Sequence, residues 1–187
     1  RDGSSALINL LQAIGQPMRL YEDFVNDPAL VKRIYYNLDG ESVLDGILLK
    51  NKIIFSNLIW ALCMNSNFDL SDAKGTSFDY HPGYRFNANA VTEDDKETKE
   101  NIFYLEQLKT GSEGGNFSTS SPTTMVPVAS AGSPDTVISS GYYRPLDMVL
   151  LNYGEKTVPV PAIYIKALSD EEERQDIERN IRIGADI

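Results

Sequence analysis

A single cysteine, Cys63, and a single histidine, His81, stand in this chain of 187 residues. Neither an internal disulfide nor a cysteine-rich metal cluster can therefore hold the fold. A chain of this length buries enough apolar surface to be stable through a hydrophobic core alone. Cys63 lies in an apolar run without a basic neighbour, which indicates a small buried hydrophobic residue rather than a reactive thiol. We therefore predict one domain, residues 1–187, around one core.

The formal net charge of -10 at pH 7 disfavours two classes of partner. Nucleic acids and anionic membrane surfaces are bound by clustered Lys and Arg side chains. The densest charge runs of this chain, Glu93 to Glu100 and Asp170 to Glu173, are instead acidic or mixed. The longest apolar region, Val43 to Met64, is interrupted by charged residues, so we expect no transmembrane helix.

Helical spacing dominates the first part of the chain, and we predict a helical core over residues 4–64. The first helix is capped at Ser4 or Ser5, and the segment 15–17, with its glycine and proline, ends it. Its apolar stripe consists of Leu7, Leu10, Leu11 and Ile14. Asp27 followed by Pro28 starts a second helix that runs to Gly40.

The middle of the chain changes character several times. Residues 47–55 fit a helix or two strands about a tight turn, and after Phe55 we favour a helix that Trp60 anchors in the core. Residues 65–90 are rich in Asn, Asp, Ser, Gly and aromatic residues, which predicts an ordered irregular loop. Residues 92–109 are predicted to form a helix. Thr92 is its cap, and its apolar stripe consists of Ile102, Leu105 and Leu108.

Residues 110–140 contain a high proportion of Gly, Ser, Thr and Pro. Such a composition buries too little apolar area to offset the entropy of ordering, so we predict a flexible arm. Within it, Met125 to Val128 could form a short edge strand, because Pro127 cannot donate to a sheet.

Residues 141–187 are predicted to form a β-hairpin followed by a helix. The apolar runs 147–152 and 157–168 are separated by Tyr153-Gly154-Glu155-Lys156, a connection of hairpin size. Pro159 and Pro161 mark the second strand as an edge strand. Ser169 and Glu172 have the spacing of a capping box and predict the start of the terminal helix. The fold class predicted from these segments is α+β, with an N-terminal bundle of short helices, a C-terminal β-hairpin and a terminal helix.

No motif in the chain predicts a catalytic residue, a metal site or a cofactor. Imidazole and thiolate groups, on which much polar catalysis depends, are nearly absent. The oxygen-rich run 65–71 lacks the glycine and the glutamate of a calcium loop, and Gly114-Gly115 lacks the Lys-Ser/Thr of a phosphate loop. We therefore predict that the protein is not an enzyme.

The leading functional hypothesis is a structural subunit of a larger protein assembly, such as a secretion machine, a surface appendage or a virus particle. It would contact its own copies or other subunits by strand addition or helix docking. The candidate partner-binding residues are Val158, Val160, Ile163, Ile165, Ile177 and Ile181. We expect an extracytoplasmic location (periplasm, cell surface or virion), because polar Asn- and Tyr-rich loops and few cysteines suit an exported protein; a cytoplasmic location stays open.

Two alternative hypotheses belong to other functional classes. The first is a ligand-binding or glycan-binding module of an exported protein, in which tyrosine rings stack on sugars. Its candidate residues are Tyr80, His81, Tyr84 and Arg85. The second is a hydrolase that uses a pair of carboxylates, although no spacing in the sequence selects the pair.

Overall fold

The computed structural model describes residues 3–38, 49–66, 77–80, 82–89, 101–111 and 134–171. These ranges form an α+β fold with N-terminal helices, two small three-stranded sheets and a C-terminal helix, which confirms the predicted class. The helices are α1 (Gly3–Gln12), α2 (Pro17–Asn26), α3 (Pro28–Asn37), α4 (Leu49–Asn65) and α5 (162–171). The strands are β1 (Ser77–Asp79), β2 (Tyr84–Asn89), β3 (Phe103–Lys109), β4 (Thr136–Tyr143), β5 (Met148–Tyr153) and β6 (Lys156–Pro161).

The three N-terminal helices each bury one narrow face. In α1 the buried side chains are Ile8 and Leu11, whereas Leu10 of the predicted stripe is 63% exposed. Pro17 was expected only to end α1, but it also occupies the first position of α2, where a missing N–H costs nothing. Helix α2 was not predicted, although its buried residues Leu20 and Phe24 have the helical spacing of four.

The predicted start of α3 is confirmed by its capping geometry. The Asp27 carboxylate accepts a hydrogen bond of 2.9 Å from the backbone N–H of Leu30, and Pro28 follows at the first helical position. Because this bond satisfies one of the free N–H groups at a helix start, the short α3 gains a defined N-terminus. Its buried residues Val31 and Tyr35, both 0% exposed, then face the core.

We expect Asp27→Ala to lower the free energy of unfolding by about 1 kcal/mol, because the Leu30 N–H loses its acceptor. Urea unfolding monitored by circular dichroism measures the change. Asp27→Asn is the matched control, since it keeps an acceptor at the cap and should lose clearly less. An equal loss in both variants would show that the carboxylate charge matters rather than the capping bond.

Residues 47–55 were predicted as a helix or as two strands about a tight turn, and from Leu49 to Phe55 they are helical, within α4. Residues 47 and 48 lie outside the described residues. Its Phe55 ring meets Phe24 of α2 edge to face at 6.3 Å. Trp60 contacts Tyr164 of α5 at a centroid distance of 5.1 Å and packs against the core from a half-buried position. Its Nε1 has no acceptor among the described residues.

The first sheet has the strand order β1-β5-β6, in which β1 runs parallel to β5 and β6 runs antiparallel to it. The predicted hairpin is confirmed: Tyr153 pairs with Lys156, and Gly154 between them has φ 60. Such a two-residue turn needs a left-handed conformation that glycine adopts without strain. The second strand is shorter than predicted, because it ends at Pro161 and residues 162–168 are helical.

The second sheet has the strand order β2-β3-β4 and is antiparallel throughout. Two predictions are corrected here. Residues 65–90 were predicted as an irregular loop, but part of this range forms β1 of the first sheet and β2 of the second. Residues 92–109 were predicted as a helix, but the end of this range forms β3. In β3, Leu105 and Leu108 lie on opposite faces of the strand and are both buried. Their three-residue spacing therefore imitated a helix. Thr92 lies outside the described residues.

Helix α5 is the central element of the core. Its Ala162, Ile163 and Ile165 are all 0% exposed, whereas Tyr164, Leu168 and Glu171 along one side are half-buried. Ser169, predicted as a helix cap, instead lies within α5, where its hydroxyl donates to the backbone carbonyl of Phe86 at 3.2 Å. The capping-box prediction is therefore wrong, and α5 joins the helices to the second sheet.

The two sheets pack against each other through aromatic side chains. Phe78 of β1 lies 6.1 Å from the rings of both Phe86 and Tyr143, in edge-to-face geometry. The buried apolar residues of the helices and of both sheets form one contiguous cluster. Cys63 belongs to it, and burial raises the pKa of its thiol to about 12, as expected for a structural cysteine.

Candidate functional site

The outer strands of the two sheets are the first places where this fold can bind another chain. A strand with one neighbour presents unpaired backbone N–H and C=O groups, which another strand can complete. Among the described residues, β1, β6, β2 and β4 each have a single neighbouring strand. They differ in length, charge and proline content, and these properties decide which edge can accept a partner.

The edge of β6 is blocked by its prolines. The backbone N–H of Ala162 donates to the carbonyl of Asp147 at 2.8 Å, which sets the alternation of hydrogen-bonded pairs along the hairpin. Pro159 and Pro161 then occupy the intervening positions, whose backbone nitrogens face away from β5. The outer edge of β6 therefore lacks two donors, which makes strand addition there unfavourable.

The edge of β4 has no such protection. This strand has eight residues, Thr136–Tyr143, and contains neither a charged residue nor a proline. Three of its large side chains point largely into solvent: Val137 is 51% exposed, Ile138 45% and Tyr142 60%. By comparison, β1 has three residues, and β2 carries the charged Arg85. The edge of β4 is thus the least protected of the four.

Strand β4 is also held firmly in its sheet, which a docking edge requires. It pairs with β3 from Phe103↔Tyr143 to Lys109↔Thr136. Ile138 forms a β-bulge, because Gln107 pairs with Ser139 and the next residue, Leu108, pairs with Val137. Tyr143 is 3% exposed, and its ring lies over Gly141, where a Cβ would come within 2.7 Å of the Tyr143 hydroxyl. Glycine at 141 is therefore needed for the buried position of Tyr143.

The start of β4 is fixed by electrostatic contacts. The Asp135 carboxylate forms an ion pair with Arg85 of β2 and accepts a hydrogen bond from the backbone N–H of Gly111 at 3.2 Å. These contacts bring the beginning of β4 to the end of β3. On the same sheet, the Tyr104 and Tyr142 rings lie 4.9 Å apart and broaden the exposed aromatic surface beside β4.

Strand β4 was not predicted, because residues 136–140 lie at the end of a segment rich in Gly, Ser, Thr and Pro. A usable signal was nevertheless present. Thr136, Val137 and Ile138 are β-branched, and Tyr142-Tyr143 are aromatic, which are the residue types enriched in strands. The flexible-arm prediction is therefore wrong for residues 136–140, and Met125 to Val128 lie outside the described residues.

Three of the predicted partner-binding residues lie in the core. Val160, Ile163 and Ile165 are each 0% exposed and contact other parts of the same chain. Val158 is half-buried and packs against that core. These side chains are thus already used by the fold, while Ile177 and Ile181 lie outside the described residues. For Ile177 and Ile181 the assignment stays a prediction, and the surface of the described residues offers other candidates.

The predicted ligand-binding residues do not share one surface. Tyr80 stacks on Phe86 at 6.0 Å and on Tyr153 at 5.8 Å, so it lies at the junction of the two sheets. Arg85 neighbours Phe86 along β2 and therefore points to the opposite face, where it pairs with Asp135. Tyr84 is half-buried at the start of β2, and His81 lies outside the described residues.

A charged cluster ties α5 to α3 and α4. The Asp170 carboxylate pairs with Lys166 one turn earlier, lies 3.9 Å from the Lys52 Nζ, and accepts a 2.6 Å hydrogen bond from the Tyr35 hydroxyl. The side chains of these three charged residues are 9 to 16% exposed. Burial and the nearby Asp170 charge raise the pKa of Tyr36 to about 12, in that order of importance. The contacts of Asp170 with Lys52 and Tyr35 join α5 to α4 and α3, so the cluster is part of the helical core.

The rest of the described surface provides little else that could bind a ligand. A shallow hollow of about 470 Å³ lies where α1 meets α2, lined by Ile14, Gly15, Gln16, Arg19, Leu20 and Asp23. Within the described ranges, no group of three or more His, Cys, Asp or Glu residues is arranged to hold a metal ion. In the same ranges no helix has the length and apolar character to cross a membrane.

No family model, curated protein or solved structure matches the chain.

Proposed function

We propose that this protein is a structural assembly subunit that binds another protein chain by strand addition at the outer edge of β4. The observation that carries the proposal is the combination of length, exposure and absence of charge in β4. Natural proteins usually protect such an edge with a charge, a proline or a covering segment. An uncharged edge of eight residues is the form that β-augmentation requires.

The contrast between β4 and β6 supports the same function. Both are edge strands among the described residues, but only β6 carries outward-facing prolines. Strand addition on β6 would form too few backbone hydrogen bonds, so β4 is the longest edge without a proline or a charge among the described strands. A subunit that binds through this one edge forms a defined contact instead of growing in both directions.

The side chains beside that edge supply the affinity that backbone bonds alone lack. Val137 and Ile138 at its start and Tyr142 near its end would each pack against a partner's side chains. Cross-strand pairs of this kind contribute about 0.2–1 kcal/mol each. A partner strand would therefore gain specificity from apolar contacts at both ends of β4.

Peptide selection tests the proposal directly. We expect linear peptides selected on the immobilised protein to slow amide hydrogen exchange in residues 136–143, because edge amides gain acceptors on pairing. Ile138→Lys should weaken the binding of these peptides at least tenfold, about 1.4 kcal/mol, since a lysine on an edge strand opposes pairing.

The control for that variant is Tyr153→Lys, which adds the same charge at a side chain 58% exposed in the β5–β6 hairpin. It should bind the selected peptides as the unmodified protein does. Peptides that protect amides outside β4, or that bind Ile138→Lys equally well, would rule out this edge as the docking site.

A further inference from the structure

The charges that flank β4 distinguish one way of pairing it from another. Between Thr136 and Tyr143 there is no charged residue, whereas Asp135 precedes the strand and Arg144 follows it. If two copies of β4 pair antiparallel, Asp135 of one copy lies beside Arg144 of the partner subunit. If they pair parallel, acid meets acid and base meets base. Opposite charges stabilise such cross-strand positions and like charges destabilise them.

The apolar residues of β4, like the charges, are arranged so that antiparallel pairing of two copies brings unlike residues together. Val137 lies near the start of the strand and Tyr142 near its end, and the bulge residue Ile138 is skipped in the pairing. An antiparallel pair centred on Ser140 then sets Val137 of one copy against Tyr142 of the partner subunit and Asp135 against Arg144, each twice by symmetry. Aromatic and β-branched residues form favourable cross-strand pairs. The residues at one end of β4 thus complement those at the other end of the same strand in a second copy, as a two-fold interface requires.

From this self-complementarity we infer that the partner at the β4 edge is a second copy of this chain. The two β4 strands pair antiparallel about a two-fold axis near Ser140, and the two three-stranded sheets become one continuous sheet. The inference rests on the proposed function and names its partner. Because pairing uses up the edge of both copies, the assembly closes as a dimer at this contact.

The net charge of the chain provides a first test. Two copies with a formal charge of -10 each repel one another, so screening by salt should strengthen the dimer. We expect the dissociation constant, measured by sedimentation equilibrium, to fall severalfold between about 0.02 M and about 0.5 M NaCl. A complex that weakens with salt, or a chain that stays monomeric at every concentration and salt level, would refute self-pairing.

Spin labels then test the orientation of the strands. Cys63 is buried and its thiol has a raised pKa, so a nitroxide reagent should react only with an introduced cysteine. We expect Ser140→Cys labels to approach closely and broaden the spectrum, since opposite positions lie about 5 Å apart in the backbone. Thr136→Cys labels, three paired positions from the axis in each copy because Ile138 is skipped, should be roughly 20 Å apart.

Dilution of labelled with unlabelled protein is the control, because it removes broadening that arises between copies. Close approach at both positions would indicate parallel strands and overturn the inference, as would a dimer that Ile138→Lys leaves intact. If the chain fails to dimerise but selected peptides still bind β4, the edge functions with a different partner. If neither occurs, the proposed function fails as well.

Discussion

We expect Asp170→Ala to lower the free energy of unfolding by about 3–5 kcal/mol, the range for removal of one partner from a buried ion pair. The Asp170 carboxylate accepts the hydrogen bond of Lys166, whose side chain is 9% exposed, and that of the Tyr35 hydroxyl. Without the carboxylate, a largely buried ammonium group loses its counter-charge and a buried hydroxyl loses its acceptor. Urea unfolding measures the change.

Two further variants separate the contributions within that cluster. Tyr35→Phe removes only the hydroxyl and should cost about 1.5–3 kcal/mol, as for a hydrogen bond to a charged group. Lys166→Met in the Asp170→Ala background should recover part of the loss, because the uncompensated charge is gone. A loss below about 1 kcal/mol for Asp170→Ala, as in an exposed ion pair, would show that the cluster is solvated.

The second large effect concerns the contact between the two sheets. We expect Phe78→Ala to lower the free energy of unfolding by about 3–5 kcal/mol, since it removes a fully buried ring and leaves a cavity. Phe78 is 0% exposed and contacts both Phe86 and Tyr143. In β1 its neighbours Ser77 and Asp79 are exposed and half-buried, so the attachment of this three-residue strand depends on Phe78.

Chemical denaturation with parallel controls tests that prediction. Phe78→Leu keeps most of the apolar volume and should lose less than half as much stability. Tyr153→Ala removes a ring of similar size that is 58% exposed, and we expect a loss of about 1 kcal/mol or less. Equal losses at positions 78 and 153 would mean that the two sheets do not share one core.

The elements that the sequence predicted correctly depend on local interactions. The start of α3 follows from Asp27 and Pro28, whose capping bond spans three residues. The β5–β6 hairpin follows from two apolar runs about Gly154, whose positive φ suits a two-residue turn. In both cases the residues that specify the element lie within the element, so one stretch of chain suffices to predict it.

The errors arose where buried apolar residues occur on more than one face of a segment. In β3 the buried Leu105 and Leu108 lie on opposite faces, and their spacing of three residues resembled a helical stripe. Most of helix α5 is buried, with a half-buried stripe at Tyr164, Leu168 and Glu171, so its sequence continues the apolar run of β6 with little contrast between its faces. A periodic pattern is clear only when one face is apolar and the other polar, and both segments depart from that alternation.

The candidate site was predicted only in its type. Strand addition was expected, but at β6, whose buried Val160 resembled an exposed apolar residue in the sequence. Both β4 and β6 appear in the sequence as short runs of strand-forming residues, and neither run shows how many strands pair with it in the sheet. Strand order alone determines that β4 lies at an edge and that its apolar side chains remain uncovered among the described residues.

By itself, the sequence determined the cap of α3, the hairpin turn and a fold that depends on a hydrophobic core without disulfides, because each follows from residue chemistry or from neighbours along the chain. The tertiary structure decided which apolar residues enter that core and, among the described strands, which one forms an edge without a proline or a charge. Burial and strand order arise from contacts between residues far apart in the chain, such as Ser169 with Phe86 or Phe78 with Tyr143. No local pattern encodes those contacts, so the β4 edge could be recognised only in the folded protein.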